Sequence, residues 1–230
     1  MSAHYAKSDG ITLVGGGALD VATLDRALTK APWLVAADGG ADAAMALGRR
    51  PDLVIGDFDS LSEAARAALG PQRLHRVATQ DDTDFDKALG AIDAPFILAV
   101  GFTGGRLDHT LAAMNTLVRN AHRRVIVDTG ADLCLVLPPQ MSLAVPPHSR
   151  ISLFPMGPVR CASQGLVWNT TGLDFNPAGK IGTSNAASGG PVTLGCDRPA
   201  MLLLVPVDQF DALFTALDAA PLWQADARAQ

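Results

Sequence analysis

The 230-residue chain has almost no glutamate: Glu63 stands alone, so 22 of the 23 acidic residues are aspartate. Aspartate is a poorer helix former than glutamate and favours caps and loop ends, where its short carboxylate reaches backbone N–H groups or a bound ion. Basic residues are not in excess either. Eighteen Lys and Arg leave a formal net charge of -5, which argues against nucleic-acid binding by bulk charge. Long apolar runs are missing: the longest, Ala200 to Val207, has Pro206 inside it and falls far short of the roughly 20 residues that cross a bilayer. The opening residues Met1 to Asp9 lack the apolar stretch of a secretory signal, so the expected location is the cytoplasm. Three cysteines, Cys134, Cys161 and Cys196, form no Cys-x-x-Cys pair, and reduced thiols are expected in place of a disulfide framework. Two nucleotide signatures are absent as well. Gly15-Gly16-Gly17 would need glycine at Asp20 to make the dinucleotide fingerprint, and no Gly-x-x-x-x-Gly-Lys loop occurs.

What is present is a globular composition, 48% hydrophobic and 18% charged. Short apolar runs at Ile11 to Val14, Trp33 to Ala37, Leu53 to Ile55, Leu74 to Val77, Phe96 to Val100 and Val125 to Val127 alternate with segments of helical spacing. That alternation predicts an α/β fold, an N-terminal doubly wound parallel sheet domain. Ser60-Leu61-Ser62-Glu63 reads as a capping box that starts a helix after the third run. Beyond residue 131 the runs Leu133 to Leu137, Ser142 to Val145, Ile151 to Phe154, Leu166 to Trp168, Val192 to Cys196 and Met201 to Val205 are separated by Pro, Gly, Ser, Thr and Asn. They predict a C-terminal antiparallel β-sandwich domain. The expected boundaries are 1–130, 131–220 and a frayed tail 221–230, with a helix near Val207 to Leu217.

In an open parallel sheet, ligands bind at the carboxyl ends of the strands. The residues that follow the first five runs are Gly15 to Gly17, Asp38 to Asp42, Gly56 to Ser60, Thr79 to Lys87 and Gly101 to His109. Glycines there let backbone N–H groups approach a phosphate, yet the side chains are mostly carboxylates. A divalent metal resolves the conflict, because Mg2+ is held jointly by carboxylates and phosphate oxygens. Asp57 and Asp59, two apart in a loop, suit one ion or a neighbouring pair. Asp84 and Lys87, three apart at a helix start, share a face and suit metal and phosphate. Arg106 suits a phosphoryl group as a bidentate clamp. Asp82 and Asp86 read better as helix N-terminal charges, and His109 reads equally as a structural hydrogen bonder or a proton acceptor.

Ala37-Asp38-Gly39-Gly40-Ala41, Pro51 to Ser60, Gln80 to Lys87, Gly104 to His109, Gly165 to Asn169 and Thr183-Ser184-Asn185 resemble, in order, the motifs of the thiamine pyrophosphokinase (thiamine diphosphokinase) family. The resemblance implies a homodimer with sites near the subunit interface. It also implies a Mg2+-dependent reaction in which ATP and thiamine give thiamine diphosphate and AMP. Carried over by position, it makes Asp57, Asp59 and Asp84 metal ligands, with Asp108 a further polar anchor. Gln80, Lys87 and Arg106 meet phosphates, and Asp38, Gly39 and Gly40 line the nucleotide pocket. Trp168, Thr183, Ser184 and Asn185 bind thiamine, the indole facing a cationic ring. Asp42 stands where the family carries Asn, and Ala186 where many bacterial members carry Glu. Two other readings stay open: a pyrophosphokinase for another heterocyclic alcohol such as a hydroxymethylpterin, and a non-catalytic thiamine or nucleotide sensor. Between Asp52 and Asp108 ten acids face five bases, so the chain's whole net charge lies in the segment expected to hold metal and phosphate.

Overall fold

The computed structural model describes residues 5–78 and 82–225. The chain falls into two compact units: one runs to Thr116 and takes in Ile126–Gly130, and the other holds Leu117–Val125 and everything from Ala131 onward. In chain order the elements up to residue 128 are β1 (Tyr5–Ala6), β2 (Ile11–Val14), α1 (Val21–Lys30), β3 (Trp33–Ala37), α2 (Gly40–Ala46), β4 (Leu53–Gly56), α3 (Glu63–Leu69), β5 (Leu74–Arg76), α4 (Asp84–Ala91), β6 (Ile92–Asp93), β7 (Ile97–Val100), α5 (Leu107–Arg119) and β8 (Val125–Asp128).

β2 pairs in parallel with β3 and β7, β3 with β4, and β4 with β5. The strand order is β5-β4-β3-β2-β7-β8. Every residue of β2, β4, β7 and β8 is buried, as strands covered on both faces require. The chain moves outward from β2 to β5 on one side, then returns to β7 on the other. That reversal puts a crevice at the carboxyl ends of β2 and β7. The glycine run after β2 is packed there: Gly17 N–H donates to Gly101 O at 2.6 Å. A Cβ on Gly15 or Gly17 would stand 2.7 Å from that same carbonyl oxygen.

One local reading of the sequence is corrected in this unit. The N-cap of α3 is Ser62, whose hydroxyl accepts from Ala65 N–H, and not Ser60 as the capping-box spacing suggested. Ser60 Oγ instead donates to Asp59 Oδ1 at 2.9 Å. A short parallel pair, β1 with β6, was also not anticipated, because two residues give no periodicity to read.

The second unit continues with β9 (Asp132–Val136), β10 (Gln140–Leu143), β11 (Arg150–Pro155), β12 (Val159–Gln164), β13 (Leu173–Phe175), β14 (Gly182–Ala186), β15 (Val192–Cys196), β16 (Met201–Pro206) and α6 (Phe210–Ala219). Its pairings are antiparallel, in the ladders β14-β11-β16-β9 and β10-β15-β12-β13. Leu166 to Trp168, expected as a strand, is a loop with a single bridge from Leu166 to Ala187. The tail is held at least as far as Trp223, whose indole N–H donates to Leu137 O at 2.9 Å.

The cysteine expectation fails. Cys161 and Cys196 form a disulfide, because they stand directly opposite each other in the β12–β15 register with Cα atoms 4.2 Å apart, the close approach of antiparallel partners. Their 35-residue separation in sequence concealed the pairing. Cys134 is buried and outside the disulfide, and burial pushes its thiol up to about 12. Among the described residues no helix is long and apolar enough to cross a membrane.

Candidate active site

The acidic residues at the ends of β3 and β4 come together because those strands are parallel neighbours. Asp38 follows β3 directly, and its N–H donates to Ile55 O of β4 at 3.0 Å. It is fully buried and adopts a left-handed backbone, φ 42°, uncommon for a residue with a Cβ. The strand beside it ends in Gly56 for a steric reason: a Cβ there would stand 3.0 Å from the Cβ of Asp38. Neither carboxylate oxygen of Asp38 has a hydrogen-bond partner among the described residues.

Asp57 and Asp59 flank Phe58, itself left-handed at φ 70°. Arg66 holds this turn by donating to Phe58 O at 3.2 Å and lying over its ring at 5.5 Å. One carboxylate oxygen from each of Asp38, Asp57 and Asp59 lies within 4.8 Å of the other two. Three carboxylates converge, one of them buried with no donor among the described residues, and that ligand set suits a hard divalent cation.

One cation of the chain already lies among these acids. Thr83 caps α4 through Asp86 N–H, and the first turn of that helix brings Lys87 Nζ to 2.7 Å from Asp57 Oδ2 and 3.3 Å from Asp84 Oδ1. The electrostatics follow. The Lys87 hydrogen bond holds the Asp57 carboxyl below its ordinary value, against the opposing effect of burial. Burial pulls Lys87 down, but its bonds to Asp57 and Asp84 prevail and its net shift is upward. Asp38 moves the other way: burial first, then the charge of Asp84, then the neighbouring Asp57 and Asp59 push it up to about 7.

The remaining predicted residues divide by location. Gly39 is the N-cap of α2, and Gly40 is its first, buried residue. Gln80 lies outside the described residues. Arg106 is exposed and paired with Asp108, Nε to Oδ1 at 3.2 Å and Nη2 to Oδ2 at 2.6 Å. Asp86 serves the helix end, accepting from Thr83 and Thr116 hydroxyls at 2.8 and 2.9 Å. In the second unit Trp168 is 63% exposed while Asn185 is buried. The Asn185 amide takes up both main-chain groups of Trp168: its Oδ1 accepts from Trp168 N–H at 3.1 Å and its Nδ2 donates to Trp168 O at 2.7 Å. This pairing imitates a strand neighbour and holds the indole outward. Thr183 and Ser184 are exposed on β14, and Ser184 is left-handed at φ 61°.

The sequence gathers Asp38, Asp57 and Asp59 at neighbouring strand ends but assigns Asp38 to the nucleotide and only Asp57 and Asp59, with Asp84, to the metal; the structure brings the carboxylates of Asp38, Asp57 and Asp59 together. The sequence also assigns Lys87 to phosphate, whereas its side chain is directed into the carboxylates.

Residues 24–137, which contain this cluster, match the family model described as thiamin pyrophosphokinase, catalytic domain. This segment is thus similar to the catalytic domain of the thiamin pyrophosphokinase family. Thiamine pyrophosphokinase 1 of Oryza sativa subsp. japonica is 28% identical over 155 residues, covering 59% of this chain and 59% of that protein. Thiamine pyrophosphokinase 1 of Arabidopsis thaliana is 28% identical over 170 residues, covering 64% and 62%. The chain thus spans less than two thirds of the length of these plant relatives. Among solved structures, thiamin pyrophosphokinase from Candida albicans superposes with a TM-score of 0.75 at 18% identity over 89% of this chain and 93% of that one. Thiamin pyrophosphokinase from Geobacillus thermodenitrificans gives 0.69 at 24% identity over 86% and 96%. At these identities the superpositions show that the fold is the family's, with its parallel sheet and following antiparallel strands.

Proposed function

We propose that the chain is a thiamine diphosphokinase: it transfers the diphosphate of ATP to the hydroxyl of thiamine and releases AMP. In this reading residues 1–130 hold nucleotide and Mg2+, residues 131–220 bind the thiamine rings, and 221–230 take no part. The observation that carries it is the convergence of Asp38, Asp57 and Asp59 at two adjacent strand ends, with the Asp38 oxygens buried and without a hydrogen-bond partner among the described residues. Asp57 and Asp59 would hold Mg2+, with Asp38 and Asp84 beside them. The ion would neutralise charge on the transferred diphosphate.

The chain's own groups supply the rest. Lys87 keeps Asp57 ionised and oriented, so that this ligand needs no rearrangement when the ion arrives. Arg106, released from Asp108, has the fork that a phosphoryl group takes, and Gln80 is assigned to the same phosphates. Asp38, Gly39 and Gly40 line the nucleotide side. Trp168 offers a flat face to a cationic ring, and Thr183 and Ser184 offer hydroxyls to its polar edge. The family resemblance extends the reading to a homodimer in the cytoplasm, which light scattering of the purified chain tests in its first half.

Product analysis with ATP, Mg2+ and thiamine is the deciding experiment. AMP with thiamine diphosphate is expected. ADP with thiamine monophosphate would mean that a different group is transferred. Turnover only with a pterin alcohol, or none with any acceptor, would replace the reading with another pyrophosphokinase or with a sensor.

A further inference from the structure

The loop carrying Asp57 and Asp59 leaves β4 at Gly56 and enters α3 through Ser62. Its far end is fastened across to another element. Asp42, on α2, accepts the backbone N–H of Ser62 at 3.0 Å through Oδ2, and the Ser62 hydroxyl donates to its Oδ1. The same hydroxyl oxygen accepts from Ala65 N–H at 3.1 Å, so the donor and acceptor roles of Ser62 are both set. Asp42 comes four residues after Asp38, and Ser62 three after Asp59. The brace therefore joins the two segments that supply all three converging carboxylates. Strained backbone lies on both sides of it, at Asp38 and Phe58, and such conformations persist only where the surroundings over-determine them.

We infer that Asp42 is a positioning residue for the carboxylate centre: by taking both donors of Ser62 it fixes the loop that presents Asp57 and Asp59 toward Asp38. The inference rests on the divalent-cation reading of that centre. Asp42 itself holds no ligand; it acts through Ser62, as the outer partners of a metal centre do. Asparagine would keep the brace, since its amide oxygen accepts the N–H and its NH2 donates to the Ser62 oxygen. Alanine would abolish it.

The test is Mn2+ binding by the purified full-length chain, followed by electron paramagnetic resonance without turnover, with thermal unfolding of the metal-free protein recorded alongside. Asp42→Ala is expected to weaken Mn2+ binding by about tenfold, while Asp42→Asn stays close to wild type. A folded Asp42→Ala protein that binds Mn2+ as wild type does overturns the inference, even if its melting temperature falls, and leaves the cation reading standing. Wild-type protein that binds no Mn2+ overturns both. Should Asp42→Ala not fold, Ser62→Ala keeps the N–H contact and loses the O–H contact; weakened Mn2+ binding supports the inference and unchanged binding overturns it.

Discussion

Lys87 and Asp57 hold each other at the acidic strand ends, the ammonium 2.7 Å from Oδ2 and the lysine side chain 5% exposed. The pair lets a cluster of carboxylates exist before any ion is bound, because one positive charge is built into it. Removing one partner of such a pair leaves the other buried without compensation. Lys87→Met is therefore expected to lower stability by about 3 kcal/mol, read from urea unfolding at neutral pH. Loss of the proposed thiamine diphosphate formation should accompany it. Activity retained by a folded Lys87→Met protein would show that Asp57 does not need its partner.

The pH dependence of the metal-free protein reports on Asp38. Its carboxyl is pushed up to about 7 from an ordinary 3.8, so between those values the folded chain holds a proton that the unfolded chain has lost. Stability from this group is fully present below the lower value and declines as pH rises through the higher one. Asp38→Asn cannot ionise, so its unfolding free energy should be flatter across this range and should exceed wild type at pH 8. Parallel curves for the two proteins would contradict this assignment.

Asn185 lets the thiamine-binding role proposed for Trp168 be tested apart from the carboxylates. Its buried amide holds the main chain of Trp168, so Asn185→Ala should free the indole without touching the carboxylates. The expected outcome is a KM for thiamine raised by about tenfold, from roughly 1.4 kcal/mol of lost binding, with Mn2+ affinity unchanged. A fall in kcat at unaltered KM would remove Trp168 from thiamine recognition.

The disulfide between Cys161 and Cys196 closes a loop of 35 residues. Loop-closure entropy puts its contribution at about 3 to 4 kcal/mol. Cys161→Ser should therefore unfold at a markedly lower denaturant concentration than the oxidised protein, and dithiothreitol should erase most of that difference. Equal midpoints with and without reductant would place the contribution near zero.

The parallel strands were legible because burial on both faces demands unbroken apolar runs, and Ile11 to Val14 or Trp33 to Ala37 can be read directly. The strands that were missed do not announce themselves. β12 buries Val159, Cys161 and Ser163 on alternate positions, and β14 is Gly-Thr-Ser-Asn-Ala, with almost nothing apolar to count. Asp57 and Asp59 were found because they are close in sequence. The proximity of Asp38 depends on the pairing of Ala37 with Ile55 across β3 and β4, which no local pattern contains. The disulfide was missed for the same reason.

Phe58 closes a route by which sequence drift usually eases a difficult turn. A glycine there would accept φ 70° without steric cost. However, the phenyl ring packs against the cluster of Ala36, Ala41, Val54, Leu61, Ala65 and Leu69, and Arg66 lies over it. A substitution that relaxes the backbone would open a gap in the interior, and one that keeps the interior must keep the backbone as it is. The turn between the two aspartates is thus guarded by a residue that binds nothing, and its mutational spectrum should be as narrow as theirs.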